Sequence, residues 1–339
     1  MKKDRRLILC DRDEKYAWGL ANYISRKKNN PFELFVFTGL ENFRNYISKE
    51  EADVLLISDE ALSTVGAGFI EGRGIRETLV LSEDGRESEV CGHSAIFKYQ
   101  SGEKIMKKVL ECYADADEEI TVSSMRNTKT KLIAVYSPVR RTLKTSFAMT
   151  MGQILSEKKS VLYINLEDYA GFNSLLKTSY ATDMSDLIYY ISQHKPNFIW
   201  KVSSMVQSIG GLDYIPPALS PMDIKSVTEE QWLGFLDELE KCAYEVIILD
   251  LGDSVRGIYK ILRRCCRIYT PTRDDGISYA KMEQYEALLK VMKYDDILEN
   301  SRKLSFSYFK GLERGLDRLV YSELGQYVRA LLKEDGVLA

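Results

Sequence analysis

Three places in this 339-residue chain carry residues that could handle a phosphate: Lys144-Thr145-Ser146, Glu167 and Asp250. A lysine brings a point charge to phosphate oxygens, and a hydroxyl and a carboxylate are hard oxygen ligands for Mg²⁺. Lys144 falls where a helix should begin, because Phe147, Met151, Ile154 and Leu155 recur at helical spacing behind it. A helix start offers unpaired N–H groups and the positive end of the helix dipole, and both attract phosphate. A strand predicted over 132–136, a polar turn and Lys-Thr opening a helix together have the layout of a phosphate-binding loop. The spacing G-x-x-x-x-G-K-[ST] is met only in part, since Pro138 and Leu143 stand where the glycines belong. Proline removes a donor, and leucine is expected to resist a curl at positive φ. The turn is therefore expected to have lost its tight loop and kept its Lys-Thr. An ordinary strand–turn–helix unit with a lysine near the helix start is the alternative.

A second constellation precedes it. Asp11 follows an apolar run at 6–10 and Asp59 ends the run 53–59, while Ser82 and Lys98 close two further runs. Asp13 lies two residues beyond Asp11, with Arg12 between them. Polar residues at strand C-termini sit where ligands bind in open α/β sheets, and clustered carboxylates can hold Mg²⁺. Each acid alone would be a solvated strand end; the set is what points to chemistry.

The elements that must position these residues follow from patterning. Up to residue 113, five short apolar runs alternate with amphipathic stretches at 14–27, 40–49 and 102–113. The segment with Gly66, Gly68, Gly72 and Gly74 is expected to be a poor helix. Residues 114–130 lose periodicity and turn polar, which marks a linker. Beyond it, strands are predicted at 160–165, 212–215, 245–250, 266–270 (ended by Pro271) and 304–309, with helices at 277–293 and 319–333. Thr182 or Asp183, and the Thr228-Glu-Glu-Gln231 box, read as helix caps. The fold class expected is α/β with two domains. The first is a flavodoxin-like βα domain at 1–113. The second, at 131–339, is a mostly parallel sheet with helices on both faces.

Composition bounds the function. A net charge of −3 gives no basic field for nucleic acid. No apolar run approaches the roughly 20 residues of a membrane span. Six cysteines without a metal-like C-x-x-C pattern read as reduced and mostly buried, as in a cytoplasmic protein. His93 and His194 are isolated, and the 21 tyrosines spread over both halves as packing residues.

Asp11, Asp59, Ser82 and Lys98 together resemble the site of a response-regulator receiver domain. That resemblance implies Asp59 as phospho-acceptor, Asp11 as a Mg²⁺ ligand, Ser82 as the switch hydroxyl and Lys98 as partner of the phosphoryl group. In the second half, strand–KT–helix, strand–NLED with Gly171, strand–PP and strand–LDLGD follow in the order of the MinD/ParA superfamily of deviant-Walker ATPases. With a receiver-like domain in front, the chain resembles the CpaE-like branch linked to Flp/Tad pilus assembly and polar placement. The resemblance implies that Lys144 contacts the β- and γ-phosphates of ATP, with Ser146, Arg140 and Arg141 nearby. It implies Mg²⁺ held by Thr145 and supported by Asp250, and Glu167 orienting the attacking water. The family's first acid of the second strand falls on Asn165, and its signature lysine falls on Val139. It further implies a homodimer and protein partners in pilus or secretion machinery. Three functions stay open: a weakly hydrolysing nucleotide switch, a nucleotide-free scaffold that kept the fold, and a phosphorylation-gated regulator acting through Asp59.

Overall fold

A computed structural model describes residues 5–26, 30, 32–86, 88–114, 130–193, 195–306, 309 and 315–337. Nearly all of the expected linker, and His194, lie outside the described residues. The chain divides into two compact units, Met1–Ser123 and Ser124–Ala339.

In the first unit, strands β1 (Arg5–Cys10), β2 (Phe32–Phe37), β3 (Ala52–Ser58), β4 (Ile75–Ser82), β5 (Glu89–Val90) and β6 (His93–Phe97) form one sheet. Its order is β2-β1-β3-β4-β6-β5. All neighbours are parallel except the β5–β6 hairpin. The central strands are apolar on both faces, as helix-covered parallel strands must be, and Leu7 to Cys10 and Val54 to Ile57 are wholly buried. Helices occupy Glu14–Arg26, Leu40–Ile47, Asp59–Val65 and Gly102–Ala114. Two expectations change here. The stretch after β3 does form a helix, because Ser58 caps it by accepting from the Ala61 N–H at 3.3 Å, and the glycines begin only at its end. Gly66 stops it at φ 88°. Between β4 and β6 the β/α alternation breaks: the described residues there form a turn and β5, with no helix. That stretch is charged and has no apolar periodicity to bury a helix face.

The second unit's sheet contains β7 (Lys131–Val135), β8 (Val161–Leu166), β9 (Gln207–Ile209), β10 (Leu212–Ile215), β11 (Val246–Leu251), β12 (Arg267–Thr272) and β13 (Ser301–Ser305). Its order is β13-β12-β7-β11-β8-β10-β9, parallel throughout except for the β9–β10 hairpin. From β7 the chain crosses over β11's place to β8, runs outward, returns to fill the gap with β11, and then passes to the far side of β7. The strand order therefore reverses beside β7, and ligands bind in open α/β sheets at the carboxyl ends of strands at such a point.

Alternate residues of β7 feed two cores. Leu132 and Ala134 pack with Trp232, Phe235, Leu239 and Met282, while Ile133 and Val135 pack with Phe147, Met151 and Ile154. The helix Lys144–Ser156 belongs to the second core and differs from the one-sided helix expected. From Phe147 to Ser156 it is buried all round, because the segment Leu316–Tyr321 and the helix Glu323–Glu334 cover its outer face. Gln153 Nε2 donates to the Leu316 carbonyl at 2.7 Å, and Arg329 pairs with Glu157 at 2.6 Å. The apolar face of the helix Glu323–Glu334 is thus part of the core. Two strand ends also move. β12 runs through Pro271, whose residue pairs with Leu304, so β13 is Ser301–Ser305 and not 304–309. A proline fits because its missing N–H can face away from a ladder partner.

Gly152 lets this central helix lie close on the sheet. A Cβ there would meet Leu212 Cδ2 at 2.6 Å and Ile248 Cδ1 at 3.3 Å. Gly152→Val should therefore force the helix off β10 and β11 and cost about 1–3 kcal/mol. The check is a lower urea midpoint in denaturation of the full chain, and a midpoint equal to wild type would refute the close packing.

Candidate functional site

The turn after β7 keeps its curl without glycine. Arg141 has φ 58° and Leu143 has φ 56°, both in the left-handed region. This corrects the expectation that Leu143 would prevent the loop. The conformation costs a non-glycine residue roughly 1–2 kcal/mol, and two features of the turn oppose that cost. Leu143 packs partly buried on the core of the Lys144–Ser156 helix. Val139 turns inward with 6% exposure, and its N–H is taken by Ser137 Oγ at 3.0 Å. The helix starts directly after Leu143, whose carbonyl accepts from the Phe147 N–H at 2.8 Å. Lys144, Thr145 and Ser146 thus form the first turn, whose N–H groups have no intrahelical partner.

β11 lies between β7 and β8, and Asp250 is in register with Val135 and Asn165. The strand pairing alone brings Asp250 beside the turn. Its carboxylate is completely buried. Oδ2 accepts three hydrogen bonds, from Thr145 Oγ1 at 2.7 Å, Tyr163 OH at 2.8 Å and Asn165 Nδ2 at 3.2 Å. Among the described residues, Oδ1 has no hydrogen-bond partner. Burial pushes the Asp250 carboxyl up from its ordinary value, against the Lys144 charge and the hydrogen bonds from Thr145 and Tyr163.

The Lys144 ammonium rests between the Glu167 carboxylate and the Leu251 carbonyl, 5.8 Å from the Tyr136 ring centre. Burial also raises the Glu167 carboxyl, and Lys144 opposes the rise. Arg140 is mostly exposed and pairs with Asp253 at 3.3 Å, and Arg141 is exposed. These side chains line a cleft of about 790 Å³ together with Ser137, Asp168 and Tyr169. All the second unit's predicted site residues except the buried Asp250 line this cleft, and Asp250 touches Thr145 at its wall. The sequence reading did not single out Tyr163, Asp253 or Ser137. Tyr163 had one visible signal: it lies two residues before Asn165 on a strand, hence on the same face.

A Mg²⁺ ion fits this donor set. Thr145 gives its proton to Asp250 and keeps its lone pairs for a cation, and Asp250 Oδ1 is a buried oxygen lacking a partner. Among the described residues no three His, Cys, Asp or Glu side chains converge on one point.

In the first unit, Lys98 is paired with Asp11. Its ammonium lies 2.9 Å from Asp11 Oδ2, with the two side chains only 5% and 2% exposed. Asp13 joins them through its N–H, which donates to Asp11 Oδ1 at 2.9 Å, and Tyr16 OH donates to the Lys98 carbonyl at 2.8 Å. Asp59 accepts from the Glu60 N–H at 2.7 Å and from the Glu83 N–H at 3.5 Å, while Ser82 Oγ bonds the Asp84 backbone and the Ser82 carbonyl accepts from the Lys98 N–H at 2.7 Å. Asp11, Asp13 and Lys98 thus form one group, and Ser82 and Glu83 at the end of β4 link it to Asp59, since Glu83 lies 3.7 Å from Lys98 and its N–H donates to Asp59.

The sequence matches no family model and no curated protein. Among solved structures, the chain is similar over part of its length to several proteins. A plasmid partition protein of Borrelia burgdorferi, bound to AMPPNP, is 15% identical over 57% of this chain and 89% of that one, with a TM-score of 0.41. Cobyrinic acid a,c-diamide synthase of Mycobacterium smegmatis, with ADP and magnesium, is 14% identical over 57% and 80%, TM-score 0.42. A ParA family ATPase of Chlorobium tepidum is 16% identical over 57% and 81%, TM-score 0.44. Similarity this low leaves the function to be argued from the site's own geometry.

Lys98 is the cation facing the buried Asp11, so Lys98→Met should destabilise the chain by about 3–5 kcal/mol. The double variant Asp11→Leu/Lys98→Met should recover most of that loss, as read by chemical denaturation. Equal unfolding midpoints for Lys98→Met and wild type would show that the pair is not buried as described.

Proposed function

We propose that the second unit is a nucleotide-binding module of the MinD/ParA type that takes Mg²⁺-ATP in the cleft and hydrolyses it weakly. One observation carries this reading: Lys144, Thr145 and Asp250 meet at the reversal point of the sheet, with Asp250 Oδ1 buried and bare. In this reading the phosphates lie on the leading N–H groups of the Lys144 helix, and Lys144 leaves Glu167 to contact them. A Mg²⁺ ion, when bound, neutralises phosphate charge beside Thr145 and Asp250. Glu167, once released, would be a carboxylate of the cleft able to orient the attacking water.

Weak hydrolysis follows from what the turn lacks. Phosphoryl transfer depends on cations placed against transition-state charge. Val139, where the family has its signature lysine, is in the core, and Arg140 is held by Asp253. The nucleotide's role would then be to switch the affinity of a homodimer for protein partners. The order of a receiver-like unit and this module supports a CpaE-like regulator of Flp/Tad pilus assembly or positioning.

A second reading, a nucleotide-free scaffold, is favoured by one feature. The site's principal cation is already satisfied by Glu167 and the Leu251 carbonyl, and the Val139 N–H by Ser137. Calorimetry of ATP and ADP with Mg²⁺ separates the two. The nucleotide reading expects binding that Lys144→Ala weakens at least tenfold, about 1.4 kcal/mol. Absence of binding by the wild-type chain at high concentration would leave the scaffold.

A further inference from the structure

Tyr163 and Asn165 hold Asp250 in an arrangement that the proposed site does not require by itself. Both lie on β8 and point to the face on which the Lys144–Ser156 helix packs. The Tyr163 ring is fully buried and stacks on Phe172, with centroids 6.2 Å apart and planes 4° from parallel. Its hydroxyl has two neighbours of opposite character. Asn165 Nδ2 donates to it at 2.8 Å, and it donates to Asp250 Oδ2 at 2.8 Å. An amide NH₂ can only donate and an ionised carboxylate can only accept, so the phenol proton has one direction, toward Asp250. Asn165 is fixed in turn, because its Oδ1 accepts from the Glu167 N–H at 3.0 Å.

We infer that Tyr163 and Asn165 are a matched pair of positioning residues that orient the Asp250 carboxylate for Mg²⁺, an inference resting on the nucleotide reading above. With Thr145, they load all the protein's hydrogen bonds onto Oδ2 and leave Oδ1 as the single oxygen turned to the ion or its water. The pair also accounts for an asparagine where the resembling family has an acid. A carboxylate at 165 could not donate, would draw the Tyr163 proton to itself and would set a second negative charge beside Asp250. Asn165 is therefore fitted to Tyr163 and is not a decayed acid.

The test uses the full chain with ATP as the probe, titrated with Mg²⁺ and in EDTA, for wild type, Tyr163→Phe and Asn165→Asp. Phenylalanine keeps the ring stack on Phe172 and removes only the hydroxyl. In EDTA, Tyr163→Phe should bind ATP as wild type does, which shows an intact fold and loop. With Mg²⁺, its half-saturating metal concentration should rise about tenfold, and that of Asn165→Asp by at least as much. In the metal-free protein, a slowly exchanging tyrosine hydroxyl resonance in the NMR spectrum should vanish in Tyr163→Phe and shift in Asn165→Asp. A Mg²⁺ dependence unchanged in both variants, on a wild type that does respond to Mg²⁺, would overturn the inference alone. A wild type that binds no ATP would overturn the nucleotide reading and this inference with it.

Discussion

The second unit is organised around one buried carboxylate. Asp250 is the next-to-last residue of the central strand β11, where burial makes an unpaired charge costly. Its partners come from two separate stretches: Thr145 from the first turn of the central helix, and Tyr163 and Asn165 from β8. Satisfying Oδ2 thus ties the helix start to two neighbouring strands. The same arrangement leaves Oδ1 without a hydrogen-bond partner among the described residues. A fold built only for stability gains nothing from that bare oxygen, whereas a cation or its water would satisfy it. The structural and functional demands on Asp250 meet in its two oxygens.

The turn shows how tertiary packing overrides local preference. Leucine and arginine at positive φ are unfavourable taken alone. Here the flanking elements are fixed, β7 by parallel neighbours on both sides and the helix by burial all round. The few residues between them must curl to connect the two. Val139 entering the core and the Ser137 hydroxyl on its N–H give the curl a different support from that of a glycine loop. The curl survives while the phosphate-facing donors are reduced, which is the physical basis for expecting binding with little catalysis.

Much of this was legible in the sequence because it rests on local signals. Short continuous apolar runs and helical spacing placed Lys144, Thr145 and Asp250 at the ends of the elements that carry them. The capping box at Thr228 and the cap at Asp183 appear where the residue types put them. What could not be read depends on contacts distant in sequence. The burial of the Lys144 helix on every side needs Leu316 and Leu324, far along the chain. The pairing of Lys98 with Asp11 joins residues 87 positions apart. Tyr163 looked like packing until the register of β8 against β11 set its hydroxyl on Asp250. The β5 hairpin was missed for another reason, since two residues are too short for any periodicity to show.

The most direct measurement is a crystal structure of the full chain grown with AMPPNP and Mn²⁺, with anomalous data collected for the metal. The account predicts a single metal peak beside Thr145 Oγ1, on the side of Asp250 Oδ1, with Lys144 moved from Glu167 onto the phosphates. A cleft without metal or nucleotide, and Lys144 still held by Glu167, would contradict it.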